Sequence, residues 1–81
     1  MREDILNKLS QKISELFLDQ TIKINPENTF SQIGLDSLDV VGLTLVMEYE
    51  FKINLPNSIL KIKSISKFVD VIENVISENN K

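Results

Sequence analysis

The 81-residue chain contains no histidine and no cysteine. Histidine is the usual general base of enzymes at neutral pH, and cysteine supplies the usual thiol nucleophile. A serine hydrolase site of the ordinary kind is therefore excluded, since no histidine is present to activate a hydroxyl. The lack of cysteine also excludes a disulfide framework and a cysteine-ligated zinc site, which is consistent with a reducing compartment.

Long apolar runs are missing as well. No run approaches the length of a membrane span, and residues 1–4 are charged and lead directly into an amphipathic pattern instead of a signal peptide. We therefore expect a cytoplasmic protein without membrane insertion. A hydrophobic content of 42 % suffices for one modest core. We expect a single domain over residues 1–81, in which the polar tail at 77–81 frays.

Basic residues are absent from the middle of the chain. Although the formal net charge is only −3, residues 24–51 contain no Lys or Arg. The same stretch contains five carboxylates: Glu27, Asp36, Asp39, Glu48 and Glu50. Such a field attracts basic partners and repels nucleic acid. A solvated acidic surface without a partner is the alternative that composition alone leaves open.

Apolar residues recur at helical spacing in the first and last segments, which predicts an all-α fold. Ser64 is the predicted N-cap of the last helix, and a short third helix is predicted over 57–61, after Pro56. The two predicted stripes are Ile5, Leu6, Leu9, Ile13, Leu16 and Phe17 in the first helix, and Ile65, Phe68, Val69, Ile72, Val75 and Ile76 in the last.

A long loop is predicted between these helices, over residues 18–36. Asn25 and Pro26 interrupt any helix there, because the proline ring fixes φ and disfavours helix for the preceding residue. Gly34 allows a tight turn at the end of the loop. The apolar residues that we expect to pin the loop to the core are Ile22, Ile24, Phe30, Ile33 and Leu35.

A second helix is predicted over 37–51, with Asp36 as its N-cap and Asp39 near the positive end of its dipole. Its apolar residues are too many for one face. We assign the line Leu43, Met47 and Phe51 to the core, with Val46 beside it. The second line is Leu38, Val41 and Leu45, framed by Asp39 and Glu48. Either both lines are core, or the second is partly exposed and docks partners.

The most informative stretch is GLDSLD at residues 34–39, which places Ser37 at the start of this second helix. A serine without a base cannot run nucleophilic catalysis alone, but it can be the point where a prosthetic group is attached. Together with Val40-Val41 and the EYEF segment at 48–51, the stretch resembles the acyl carrier protein family. The resemblance covers nearly the whole chain and implies a four-helix bundle with a long loop between helices 1 and 2 and a short third helix.

The resemblance also implies the cofactor and the partners. In this family a phosphopantetheinyl transferase moves 4′-phosphopantetheine from coenzyme A onto a serine, here Ser37. The transferase supplies the general base and Mg²⁺, and Asp36 occupies the position that engages it. The chain would then be a monomeric carrier and not an enzyme. Enzymes with basic docking patches would load and process its acyl thioesters, and the residues that contact them would be Leu38, Asp39, Val41, Leu45 and Glu48.

Three departures from the family pattern bear on the pathway. Gly42 and Tyr49 stand where carriers of fatty acid synthesis usually have acids, and residues 57–61 contain no acid. We therefore expect a specialised lipid or polyketide-type pathway and not housekeeping fatty acid synthesis. A peptidyl or aminoacyl carrier and an unmodified helix-docking adaptor are the alternatives. A helix-turn-helix protein is disfavoured, because the second helix has no Lys or Arg before Lys52.

Overall fold

The computed structural model describes residues 2–17 and 25–79, and these residues form an all-helical fold. Helix α1 spans Arg2–Phe17, α2 spans Ser37–Phe51 and α3 spans Ile65–Asn79. Two 3₁₀ helices, Ser31–Ile33 and Asn57–Lys61, lie in the connections. The predicted all-α class is confirmed, and the predicted short third helix is the 3₁₀ helix Asn57–Lys61. Helix α3 continues through Asn79, into the segment 77–81 whose fraying stays a prediction.

One core is shared by all three α-helices. Helix α1 packs against both α2 and α3, and the 3₁₀ helix Asn57–Lys61 packs against α2. The predicted stripe of α1 is correct except at Leu16, which is 52 % exposed because it lies at the edge of the stripe near the helix end. In α3, Val75 and Ile76 are only partly buried. Among the described residues, the largest fully buried side chains are Ile5, Leu9, Ile13, Leu43, Met47, Ile59, Ile65, Phe68, Val69 and Ile72.

The buried face of α2 differs in part from the prediction. Leu43 and Met47 are buried as expected, but Val40 and Thr44 complete the face. Phe51 is partly buried against the core, and the assignment of Val46 to the core was wrong, since it is half-exposed. Burial of Thr44 is possible because its hydroxyl donates to the carbonyl oxygen of Val40 at 2.8 Å. The buried face of α2 thus includes the side that contacts the 3₁₀ helix Asn57–Lys61.

Backbone hydrogen bonds attach the loop before α2 to the start of α3. The N–H of Phe30 donates to the carbonyl of Lys63 at 3.0 Å, and the N–H of Ile65 donates to the carbonyl of Asn28 at 3.1 Å. The Phe30 ring meets Phe68 edge to face, with ring centroids 5.1 Å apart. Phe30 and Leu35 are buried and Ile33 packs against the core, as predicted. The other two predicted anchors, residues 22 and 24, lie outside the described residues.

The two glycines of the chain give a direct test of this backbone. A Cβ atom built on Gly34 or on Gly42 would lie within 4 Å of no atom beyond the adjacent residues and the surrounding helix backbone. Gly34, however, has φ of 87°, whereas Gly42 lies inside helix α2. We predict that Gly42→Ala stabilises the fold by about 1 kcal/mol, the usual cost of glycine in a helix. Gly34→Ala should destabilise it by about 1–2 kcal/mol, the cost of the left-handed conformation.

Urea unfolding of both variants against the wild-type chain measures the two free-energy changes. Since neither methyl group would clash, the opposite signs depend only on backbone conformation. Destabilisation by Gly42→Ala would contradict the helical environment assigned to this residue.

Candidate functional site

A reciprocal pair of hydrogen bonds fixes the start of α2. Oδ1 of Asp36 accepts from the N–H of Asp39 at 2.9 Å, and Oδ2 of Asp39 accepts from the N–H of Asp36 at 3.1 Å. This is a capping box, which satisfies two backbone donors that the helix itself leaves unpaired. The predicted N-cap is confirmed. Because Asp36 has extended backbone dihedrals, the chain changes direction here and Ser37 becomes the first helical residue.

Ser37 is exposed at this helix start. Within residues 2–17 and 25–79, no side chain is hydrogen-bonded to its hydroxyl, so the described part of the chain holds no base in position to activate it. The N–H groups and dipole of a helix N-terminus favour a bound anion. The position is therefore suited to hold an anionic group.

A groove of about 410 Å³ adjoins Ser37. Three segments line it: residues 29–31 of the loop, the residues at the start of α2, and residues 60–63. Its apolar side chains are Phe30, Leu35, Val40, Leu60 and Ile62, and its polar ones are Thr29, Ser31, Asp36, Ser37, Lys61 and Lys63. The serine thus stands beside a surface able to receive a chain with both apolar and polar parts.

Comparison with known proteins identifies the family. A family model described as the phosphopantetheine attachment site matches residues 7–72. An acyl carrier protein from Cyanidioschyzon merolae is 34% identical over 88 residues, which cover 96% of this chain and 97% of that protein. The chain belongs to the acyl carrier protein family.

Two further relatives extend the comparison. The crystal structure of an acyl carrier protein from Thermotoga maritima matches with a TM-score of 0.87 and 26% identity, and the match covers 96% of this chain and 93% of that one. Acyl carrier protein 1, chloroplastic, from Spinacia oleracea is 29% identical over 79 residues, 95% of this chain and 57% of that protein. The predicted family and phosphopantetheine cofactor are confirmed, and the relatives are carriers and not catalysts, as expected.

One face of α2 is apolar and open to solvent. Leu38 is 79 % exposed, Val41 37 % and Leu45 62 %, so the predicted second line lies on the surface and not in the core. Tyr49, four residues after Leu45, extends this face and is 84 % exposed. Tyr49 was not predicted to belong to this face, although its four-residue spacing from Leu45 places both side chains on the same side of the helix. A second cavity, of about 230 Å³, separates the edge of this face from residues 55–60.

The carboxylates of α2 have structural partners. Asp39 is half-buried in the capping box, and Glu48 accepts from the N–H of Leu55 at 2.8 Å. Glu50 turns toward α1, where Lys12 lies at 3.0 Å and Lys8 at 3.8 Å. Of the five carboxylates in residues 24–51, Glu50 is thus neutralised by lysines of α1 and adds little to the negative field expected from this stretch.

No helix in the described part of the chain is both long enough and apolar enough to cross a membrane.

The Glu50 pair gives a prediction with a defined pH dependence. The hydrogen bond from Lys12 lowers the pKa of Glu50, against the opposing effect of desolvation. A group whose pKa is lowered by folding stabilises the fold above its unfolded pKa, and this contribution is lost as the pH falls through the native pKa. Glu50→Gln should therefore lower the Tm at neutral pH, and the difference from the wild-type chain should shrink as the pH falls below about 4.3, the ordinary pKa of a glutamate.

The matched control is Glu78→Gln, because Glu78 is exposed and has no ion pair with the described residues. Its Tm should follow that of the wild-type chain over the whole pH range. A Glu50→Gln deficit that persists unchanged in acid would show that the side chain acts through packing and not through its charge.

Proposed function

We propose that Ser37 carries 4′-phosphopantetheine and that this chain conveys acyl groups between partner enzymes in a monomeric, cytoplasmic form. When bound, the group supplies a thiol that holds acyl intermediates as thioesters. The observation that supports the attachment site most strongly is the exposed hydroxyl of Ser37 at the capped start of α2, inside the matched segment 7–72. Cytoplasmic location stays a prediction, and the spinach relative is named as chloroplastic.

The attachment needs little from the chain itself. The Ser37 oxygen attacks the phosphorus of coenzyme A that bears pantetheine, and the pyrophosphate P–O bond breaks. Adenosine 3′,5′-bisphosphate leaves, and the hydroxyl proton passes to a base of the transferase. The capping box holds Ser37 in place, and the helix N-terminus stabilises the phosphodiester that forms.

Asp36 has two roles in this proposal. Its Oδ1 accepts from the N–H of Asp39 and so caps the helix. Its negative charge lies next to the reacting hydroxyl, where it would engage the Mg²⁺ of the transferase. The cap needs only a hydrogen-bond acceptor, whereas the metal needs a carboxylate, so the two roles are separable.

Intact mass spectrometry tests the attachment. Incubation with coenzyme A, Mg²⁺ and a broad-specificity phosphopantetheinyl transferase should add the mass of one phosphopantetheine to the wild-type chain. Ser37→Ala should add none. Ser31→Ala is the matched control, because Ser31 is also exposed and lines the same groove. A folded wild-type chain left unmodified by several transferases would favour an unmodified docking module instead.

The time course of the same assay separates the two roles of Asp36. Asparagine caps helices about as well as aspartate but lacks the charge. Asp36→Asn should therefore keep the wild-type stability and be modified more slowly, while Asp36→Ala should also lose about 1 kcal/mol of stability. Modification of Asp36→Asn at the wild-type rate would leave Asp36 with the capping role alone.

We further propose that the exposed face of α2 docks partner enzymes of a specialised lipid or polyketide-type pathway. The face presents Leu38, Val41 and Leu45, with Asp39 and Glu48 at its edges. It is less acidic than the family pattern, since Gly42 and Tyr49 are uncharged and Glu50 is paired with lysines. Apolar contact would then dominate over electrostatic attraction in docking.

Fatty-acid-synthesis enzymes should therefore act on the modified chain more slowly than on a housekeeping carrier, when both are assayed side by side. Leu45→Ala should slow any productive reaction further, since it removes an apolar contact. Leu16→Ala removes an exposed leucine from α1 and should have no effect. Rates equal to those of the housekeeping carrier would contradict the specialised pathway.

A further inference from the structure

We propose that Lys61 and Lys63 bind the phosphodiester of the phosphopantetheine arm and thereby hold the arm in the groove beside Ser37. This inference rests on the proposed attachment at Ser37 and concerns what the chain does with the arm afterwards. The two lysines line the groove beside Ser37, make its lining net positive and form no ion pair within the described residues.

Ser37 and the two lysines line the same groove but come from different segments, the start of α2 and residues 60–63. Lys61 ends the 3₁₀ helix Asn57–Lys61. The backbone of Lys63 is held by the hydrogen bond that its carbonyl accepts from Phe30. The backbone that carries the two lysines is therefore held in place, and their long side chains give the ammonium groups reach.

The phosphodiester would add a negative charge next to Asp36, with Asp39 in the same turn, and like charges at this range repel. Two lysines against one carboxylate make the groove lining net positive, in a chain whose net charge is −3. They offset the repulsion and supply the point charges that bind phosphate.

The basic residues of α1 are already paired, Arg2 with Asp70 and Lys12 with Glu50. Lys61 and Lys63 are exposed, and across residues 2–17 and 25–79 neither forms an ion pair. Their charge is thus not used by the described part of the fold. The apolar groove lining next to them suits the methyl and methylene groups of pantetheine.

Amide chemical shifts of the apo and modified forms test the proposal. In the wild-type chain, modification should shift the ¹H–¹⁵N signals of residues 29–31 and 60–63 as well as those around Ser37. These remote shifts should be lost in Lys61→Gln/Lys63→Gln. They should also be lost at about 0.5 M salt, where charges are screened within a few ångströms.

The control is Lys52→Gln/Lys67→Gln, which removes the same charge from two exposed lysines outside the groove lining. It should keep the remote shifts, and intact mass confirms that every variant carries the arm. Shifts confined to residues near Ser37 in the modified wild-type chain, or remote shifts that survive in Lys61→Gln/Lys63→Gln, would overturn the lysine site alone. A chain that takes up no phosphopantetheine would overturn the attachment and this inference together.

Discussion

The paired hydrogen bonds between Asp36 and Asp39 determine where helix α2 begins, and most of the functional geometry depends on that point. They make Ser37 the first residue of the helix, with its hydroxyl exposed. In the helix that begins there, Leu43 and Met47 turn into the core, while Leu38 and Leu45 lie on the surface. Successive residues of an α-helix are rotated by about 100°, so these four side chains divide between two faces.

The capping box would be ineffective without a fixed loop before it. Phe30 supplies that support, because its ring packs on Phe68 and its N–H is bonded to Lys63. The N–H of Leu35 in turn donates to the carbonyl of Phe30 at 3.0 Å. Gly34, in the left-handed conformation, closes the intervening turn. Packing of the loop against α3 thereby helps to fix the position of the surface serine at which we propose the attachment.

Sequence reasoning succeeded where local rules decide the structure. The stripes of α1 and α3, the N-cap Asp36 and the position of Ser37 follow from periodicity and helix-capping chemistry. It failed at Val46 because apolar residues surround most of α2, so that periodicity alone does not select the buried side. The ion pairs of Glu50 were not predicted, because its partners, Lys8 and Lys12, lie on another helix. The groove could not be predicted from local sequence either, because residues 29–31 and 60–63 meet only in the folded chain.

The proposed attachment would account for the small number of reactive groups in this chain, because the transferase would supply the base and the metal. The chain itself would supply an exposed serine at a helix N-terminus, beside a groove. The most direct measurement is to isolate the chain from the cells that produce it and locate the modified residue by tandem mass spectrometry of its peptides. We predict phosphopantetheine on Ser37 and on no other serine. An unmodified Ser37, or the group on a different residue, would contradict the central claim.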